Sequence, residues 1–322
     1  MSRNDNKRKL LFDRFSSHLN FLKSNGFLPD LELQFPKTYI CPICLEHFPE
    51  QALEEKSRNR LTLEDAPPKS LGGSQIALTC KSCNNTCGHE VDFHLSDRLR
   101  ELDASEFLPY TTQKVTMENE GKTVTGYVKV ESNGEIKITH DKRYNNPQVL
   151  EDYIASLKDE SFGGIVNLIR KKSRVEKRVF GIALLKTAYI LTFAKFGYTF
   201  ILDSVYNKVR EQLLNPSLNV YPEEFWTEQS TFLEQHEGVH FSIKKGLESV
   251  YPIFPLKTNS KIRRFGVALP FPTKPFEDIV DNIMMIGEGD SMSFDPMDGA
   301  DYLFNLEAIN KAIAWIEKLK NN

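Results

Sequence analysis

The sequence predicts an α+β protein: a small metal-organised β-β-α module near the N-terminus, followed by a larger mixed α+β domain. Three observations carry that expectation. Cys41-Pro-Ile-Cys44 and Cys80-Lys-Ser-Cys83 are two CxxC knuckles in metal-ligand spacing. Short strand-like runs punctuated by Gly, Pro and Asn lie between and after them. Helical periodicity of apolar residues marks both ends of the chain.

Composition sets the bounds. The 322 residues suffice for a full core and about two domains. With 40% hydrophobic and 26% charged residues, the chain has ordinary globular proportions. The net charge is -3, and residues 1–110 hold 14 Lys/Arg against 16 Asp/Glu. This balance gives no support to a broadly basic nucleic-acid binder, and any phosphate contact has to use a local patch. Five cysteines, four of them in knuckles and Cys87 left over, fit a reducing, cytoplasmic setting. The charged start MSRNDNKRKL shows no apolar signal segment. The most apolar stretch, 179–202, contains Lys186 and Lys195 and is expected as a buried helix, with no membrane partner.

Leu10, Leu11, Phe15, Leu19 and Leu22 recur at helical spacing before Gly26, giving an amphipathic N-terminal helix within 1–30. Residues 37–105 form the cysteine module, with short strands expected over 59–79 and a helix near 86–100. A third segment, 110–322, is expected as one α+β domain. Its strands are placed at 112–118, 122–131 and 135–140, and Pro147 opens a helix over 148–157. A long helix over 174–196 and a second over 204–214 follow. Strands are placed at 238–243, 250–254 and 264–269, and a final helix at 305–319. Gly163-Gly164 lacks a phosphate-loop pattern and reads as a turn.

Four thiolates, Cys41, Cys44, Cys80 and Cys83, can surround one Zn²⁺ tetrahedrally. Such a site has no open position, so this zinc is expected to be structural. A module this small has little core of its own, and bound zinc would supply folding free energy directly.

The insert carries the chemistry. Glu64-Asp65 stands ahead of Pro68-Lys-Ser-Leu-Gly-Gly73, and Cys80-x-x-Cys83-Asn84 is followed by Gly88. In this order and spacing, residues 41–92 resemble the HNH endonuclease family of the four-cysteine zinc type. The resemblance covers about one-sixth of the chain. It implies a ββα-metal fold and phosphodiester cleavage in DNA with one divalent ion, Mg²⁺ or Mn²⁺. By resemblance, Glu64 and Asn84 occupy metal-ligand positions, and their oxygens suit a hard cation. Asp65 stands where the family places a catalytic His. An Asp has a reference pKa near 3.9 against about 6.5 for His, so it is a weak base at neutral pH. Three outcomes are open: Asp65 serves as base or extra ligand; His89, His94 or His47 enters the site; or the module no longer cuts.

Phosphate contacts are expected from Lys69 and Lys81 near the insert, and from a basic run at Arg170, Lys171, Lys172, Arg174, Lys177 and Arg178. Lys261, Arg263 and Arg264 form a smaller basic group. The scattered acids Asp278, Asp281, Glu288, Asp290 and Asp295 read as surface.

The expected function is metal-dependent DNA endonuclease activity, in restriction or phage defence by family resemblance. The 110–322 segment would recognise substrate, a protein partner, a second copy of the chain or a signal. The alternatives are a non-cleaving DNA- or protein-binding descendant and a ligand-gated nuclease with a C-terminal sensor.

Overall fold

The computed structural model describes residues 3–119, 121–140, 142–158, 165–170, 175–223, 225–242, 248–272, 294–296 and 301–320. In chain order, α1 (Arg3–Ser24) is followed by β1 (Tyr39–Ile40), β2 (His47–Phe48), β3 (Leu61–Ala66) and β4 (Ser74–Cys80). Helix α2 (Lys81–Cys87) continues through a π-helical turn, Gly88–Asp92, into α3 (Phe93–Ser105). Next come β5 (Thr112–Asn119), β6 (Lys122–Val130), β7 (Ile136–His140), α4 (Pro147–Ser156) and β8 (Asn167–Arg170). Helices α5 (Lys177–Phe196), α6 (Tyr198–Ile201) and α7 (Asn207–Leu214) lead to β9 (Trp226–Glu228), β10 (Gly238–Ser242), β11 (Ser249–Lys257) and β12 (Ile262–Val267). Strand β13 (Phe294–Pro296) and helix α8 (Leu306–Lys320) close the described chain. The architecture is α+β, with the cysteine module near the N-terminus.

The chain divides into two compact units. One holds residues 1–95, 177–256 and 263–322; the other holds 96–176 and 257–262. The single domain expected over 110–322 is thus corrected: most of its second half joins the cysteine module. The physical reason is core size. A metal-tied hairpin and a short helix cannot bury enough apolar surface alone, and here α5 supplies the rest. Helix α5 packs on β3, β4 and the π turn, and also on β9 and β10.

Helix α5 is long and apolar enough to span a membrane by length and composition, but it is packed inside this unit. Tyr189, Phe193 and Phe196, at spacings of four and three, are all buried. Phe193 meets Phe15 of α1 at 4.4 Å between ring centroids and Tyr198 at 5.2 Å. Helix α1 buries Leu11, Phe12, Phe15, Leu19 and Leu22 as one stripe. Leu10, expected on that face, is 66% exposed. At about 100° per residue it falls off the stripe that Leu11, Phe15 and Leu22 define. The larger sheet of this unit has the order β13-β10-β11-β12-β9.

Strands β3 and β4 form an antiparallel hairpin whose register shifts between Glu64 and Asp65. The connection is sterically exacting. Gly72 has φ 89°, and a Cβ on Gly73 would lie 1.5 Å from the Pro67 carbonyl oxygen. The helix expected from residue 86 starts earlier, at Lys81, because Cys80 caps it: the Cys83 N–H donates to the Cys80 sulfur.

The second unit is a four-stranded sheet, order β7-β6-β5-β8, with α4 on one face. Its small core is Val115, Met117, Val124, Val128, Leu150 and Tyr153. Asn146 caps α4 by accepting from the Gln148 N–H at 2.9 Å, and Pro147 fills the first helical position. Gly163-Gly164, Lys171, Lys172, Arg174, Asp278, Asp281, Glu288 and Asp290 lie outside the described residues, as does the side chain of Asp295.

Candidate functional site

The four knuckle cysteines converge. Their Sγ atoms all lie within 4.8 Å of one another, and Cys44 and Cys80 are 3.8 Å apart. Four sulfurs at about 2.3 Å from a tetrahedral zinc are about 3.8 Å apart, so the set fits that ion. The first knuckle is a tight turn between β1 and β2. The Cys41 carbonyl accepts from the Leu45 N–H at 2.9 Å, and Leu45 takes the left-handed conformation at φ 61°. Backbone N–H groups of Cys80 and Cys83 point at the sulfurs of Cys41 and Cys80, at 3.4 and 3.5 Å. Contact with the Cys41 sulfur and the other two pushes the Cys80 thiol down and the Cys83 thiol up. A divalent cation removes that conflict, because all four can then bind as thiolates. This buried cluster can chelate a metal ion, and its composition is that of a structural zinc site.

Tyrosines from other elements hold the frame. The Tyr39 hydroxyl donates to the Leu78 carbonyl at 2.7 Å and accepts from the Leu78 N–H at 3.1 Å. The Tyr198 hydroxyl does the same with the carbonyl and N–H of Ile40, at 2.8 and 2.9 Å. Tyr189 of α5 donates to the Pro42 carbonyl at 2.7 Å, inside the first knuckle. Cys87 stands apart from the cluster. It is buried against the Leu213 carbonyl, and burial pushes its thiol up to about 12.

Beneath the hairpin lies a charge cluster that the sequence reading missed. Glu64 is 2% exposed and Lys186 of α5 is 1% exposed. The Lys186 ammonium is 2.6 Å from Glu64 Oε1 and 2.6 Å from Asp92 Oδ2. Thr79 of β4 donates to the second Glu64 oxygen at 2.8 Å. Burial works against the charged lysine, but the two carboxylates outweigh it and hold its pKa above the ordinary value. Burial likewise raises the Asp92 carboxyl, with Lys186 opposing. The available signal was a lone lysine in an apolar helix: a core cation needs a buried anion, and Glu64 was the candidate.

Asp65 follows the register shift. A bulge re-aims the side chain after it, and Asp65 is only partly buried where Glu64 is enclosed. Its Oδ1 is buried without a hydrogen-bond partner, as is Asp92 Oδ1. Burial first, then the Glu64 charge, raises the Asp65 carboxyl above the usual range, while Lys69, Lys186 and Lys7 pull it down. Asn84 on α2 donates its amide to Thr62 Oγ1 at 2.8 Å and to the Leu63 carbonyl at 3.2 Å. It therefore ties the helix to β3 just ahead of Glu64-Asp65.

Among the alternative bases, His47 accepts from the Gln34 N–H at 3.4 Å, and burial lowers its pKa. The His94 ring packs edge-on against Phe93 at 5.8 Å. His89 stands in the π turn, and its side chain lies outside the described residues. Lys69 and Lys81 are exposed at the two ends of the hairpin-helix region. Arg170 is exposed, stacks on Phe107 at 4.7 Å and donates to the Ser105 carbonyl at 3.2 Å. Arg178 is held by the carbonyls of Pro216 and Leu218 at 2.5 and 2.7 Å. Arg263, Arg264 and Lys261 are paired with Glu228, Glu237 and Glu106 at 3.4, 2.9 and 2.9 Å, so that smaller group is neutralised locally.

Among the described residues, the four cysteines are the only convergent set of His, Cys, Asp or Glu ligand atoms. No family model, curated protein or solved structure matches this chain.

Proposed function

We propose that residues 41–92 form a zinc-structured ββα module of the HNH type that acts on DNA phosphodiesters with Mg²⁺ or Mn²⁺. The observation that carries this reading is the arrangement of hairpin and helix. Asn84 is bonded onto β3 at Thr62 and Leu63, just ahead of Glu64-Asp65, and Asp65 keeps a buried oxygen without a partner. Magnesium is commonly held by one or two carboxylates together with substrate phosphates and water, so a sparse protein ligand set is compatible with it. Bound there, the ion would stabilise charge on the scissile phosphate and leaving oxygen.

In this reading Asp65 and the Asn84 carbonyl oxygen face the ion, and Glu64 does not. Glu64 is taken up by Lys186 and Thr79, so its work is to anchor β3 on α5. The test is nicking of supercoiled plasmid with added Mg²⁺ or Mn²⁺. Asp65→Asn is expected to abolish it while zinc content and melting temperature stay at wild-type values. Full activity in the Asp65→Asn protein would remove Asp65 from the chemistry. Asp65→His, which restores the family's base, is expected to raise the rate.

A second reading, a DNA- or protein-binding module that no longer cuts, is favoured by the same Lys186 contact. A buried ammonium between Glu64 and Asp92 fills the place where a divalent ion would meet Glu64. A folded, zinc-loaded wild type that binds DNA but leaves plasmid intact under both ions would establish this alternative.

A further inference from the structure

The four-stranded sheet of the second unit buries one face under α4, and the side chains of its other face are half-buried at the centre and exposed toward β7. Strand register assigns the residues to faces. Val115, Met117, Val124 and Val128 point to the core, so Lys114, Thr116, Thr125, Tyr127 and Lys129 point away from it. Lys137 and Thr139 join them, opposite Lys129 and Tyr127. Lys114 and Tyr127 are cross-strand partners on the two central strands. The Lys114 ammonium lies 3.9 Å over the ring of Tyr144, which is 56% exposed. The neighbouring Asn145 pins that segment to the sheet. Its amide accepts from the Thr125 N–H at 2.7 Å and donates to the Thr125 carbonyl at 2.8 Å.

That other face thus has a lysine between two tyrosines at its centre and threonine hydroxyls around them. Its charges are Lys114, Lys129 and Lys137 on strands and Lys142 and Arg143 on the following turn, against Glu118, Glu131 and Glu135. Glu131 is shared by Lys129 and Lys137 at 2.9 and 3.4 Å, and the described charged residues of this face sum to two positive charges. Ile169 of β8, opposite Thr116, adds an exposed apolar side chain to this face. Two tyrosines flanking a cation suit a ligand with flat rings and negative charge.

We infer that this face binds single-stranded nucleic acid, with bases stacking on Tyr144 and Tyr127 and backbone phosphate meeting Lys114. The choice of nucleic acid among anionic, ring-bearing ligands rests on the function proposed above; the single-stranded form follows from the sheet. Bases can reach side-chain rings only when they are unpaired, and such platforms combine stacking aromatics with basic groups. Phosphate contact through so few lysines gives modest, salt-sensitive affinity.

The experiment is fluorescence anisotropy on the full, zinc-loaded chain without added Mg²⁺ or Mn²⁺. The probes are a labelled oligothymidylate of about 20 nucleotides, long enough to cover the roughly 4–16-nucleotide sites of stacking platforms, and a duplex of equal length. Wild type is expected to prefer the single strand. Tyr144→Ala and Lys114→Glu are each expected to weaken that binding about 5- to 30-fold, with duplex binding little changed. Both side chains are on the surface, and unchanged melting curves verify the fold. Wild-type affinity in both folded variants, or equal binding of duplex and single strand, overturns the inference. Plasmid nicking is read separately: single-strand binding through this face without nicking keeps the inference and rejects the nuclease reading.

Discussion

At the scale of single residues, Lys186 decides what Glu64 can do. A carboxylate with an ammonium at 2.6 Å and a threonine hydroxyl at 2.8 Å, at 2% exposure, is a structural anion. Removing one partner leaves the other charge buried without compensation, so Lys186→Met is expected to destabilise by about 3–5 kcal/mol. Adding Glu64→Gln should recover part of that loss, read by urea unfolding of both variants. For the same reason Glu64→Ala is a poor catalytic control, because it disturbs the core together with any chemistry. His18 supplies a pH prediction. It is fully buried on α1, accepts from the Tyr198 N–H at 3.3 Å, and burial lowers its pKa to about 4. The unfolded chain, with His near 6.5, binds the proton first. Stability is therefore present above pH 6.5 and is lost as pH falls toward 4, by up to about 3 kcal/mol. His18→Gln should flatten that part of the pH–stability curve relative to wild type; parallel curves would show that His18 does not titrate in this way.

Among elements, the β3–β4 hairpin is the most constrained. Its turn closes so tightly that a methyl group at Gly73 would occupy the space of the Pro67 carbonyl. Gly73→Ala is expected to move or break the hairpin, lowering the melting temperature of the zinc-loaded protein and loosening zinc. A variant with wild-type melting and zinc content would mean that the Pro67 peptide can swing aside. The helix that follows begins on a cysteine cap and passes through a π turn at Gly88–Asp92. That turn places Asp92 against Lys186. Such π segments occur often at functional sites, because they re-aim one side chain without ending the helix. The strands at 112–119, 122–130 and 136–140 were legible from alternation and glycine turns. Their partner β8 was not, because four residues with one half-buried position carry almost no period.

Over the whole molecule, the metal frame and the core are one structure within the first unit. Tyr39, Tyr189 and Tyr198 each hydrogen-bond the backbone of a cysteine-bearing segment; the rings of Tyr39 and Tyr198 belong to the aromatic cluster around Phe15 and Phe193, and the Tyr189 ring packs against Tyr206. Removing zinc should therefore cost more than the local fold of residues 41–83. Chelation is expected to lower the unfolding temperature of the unit and to speed amide exchange in α5, measured by hydrogen-exchange mass spectrometry. Exchange that rises only at the knuckles would mean that the core stands without its metal. Metal analysis of the untreated protein should find one zinc per chain, and Cys80→Ser should reduce it.

The sequence by itself determined the cysteine frame, the hairpin-and-helix order around it and most of the later elements. These follow from local spacing: two residues between thiolates, period two in strands, period 3.6 in helices. Through the family resemblance it also singled out Asp65, between the knuckles, and Asn84, directly after the second, as candidates for the site. Only the tertiary structure decided that α5 completes the core of the cysteine module and that Lys186 claims Glu64. Those outcomes depend on residues about 100 positions apart meeting in space, where burial of a charge forces a pairing that no local pattern records. The different surroundings of Glu64 and Asp65 belong to the same class, because the register shifts between these two adjacent acids.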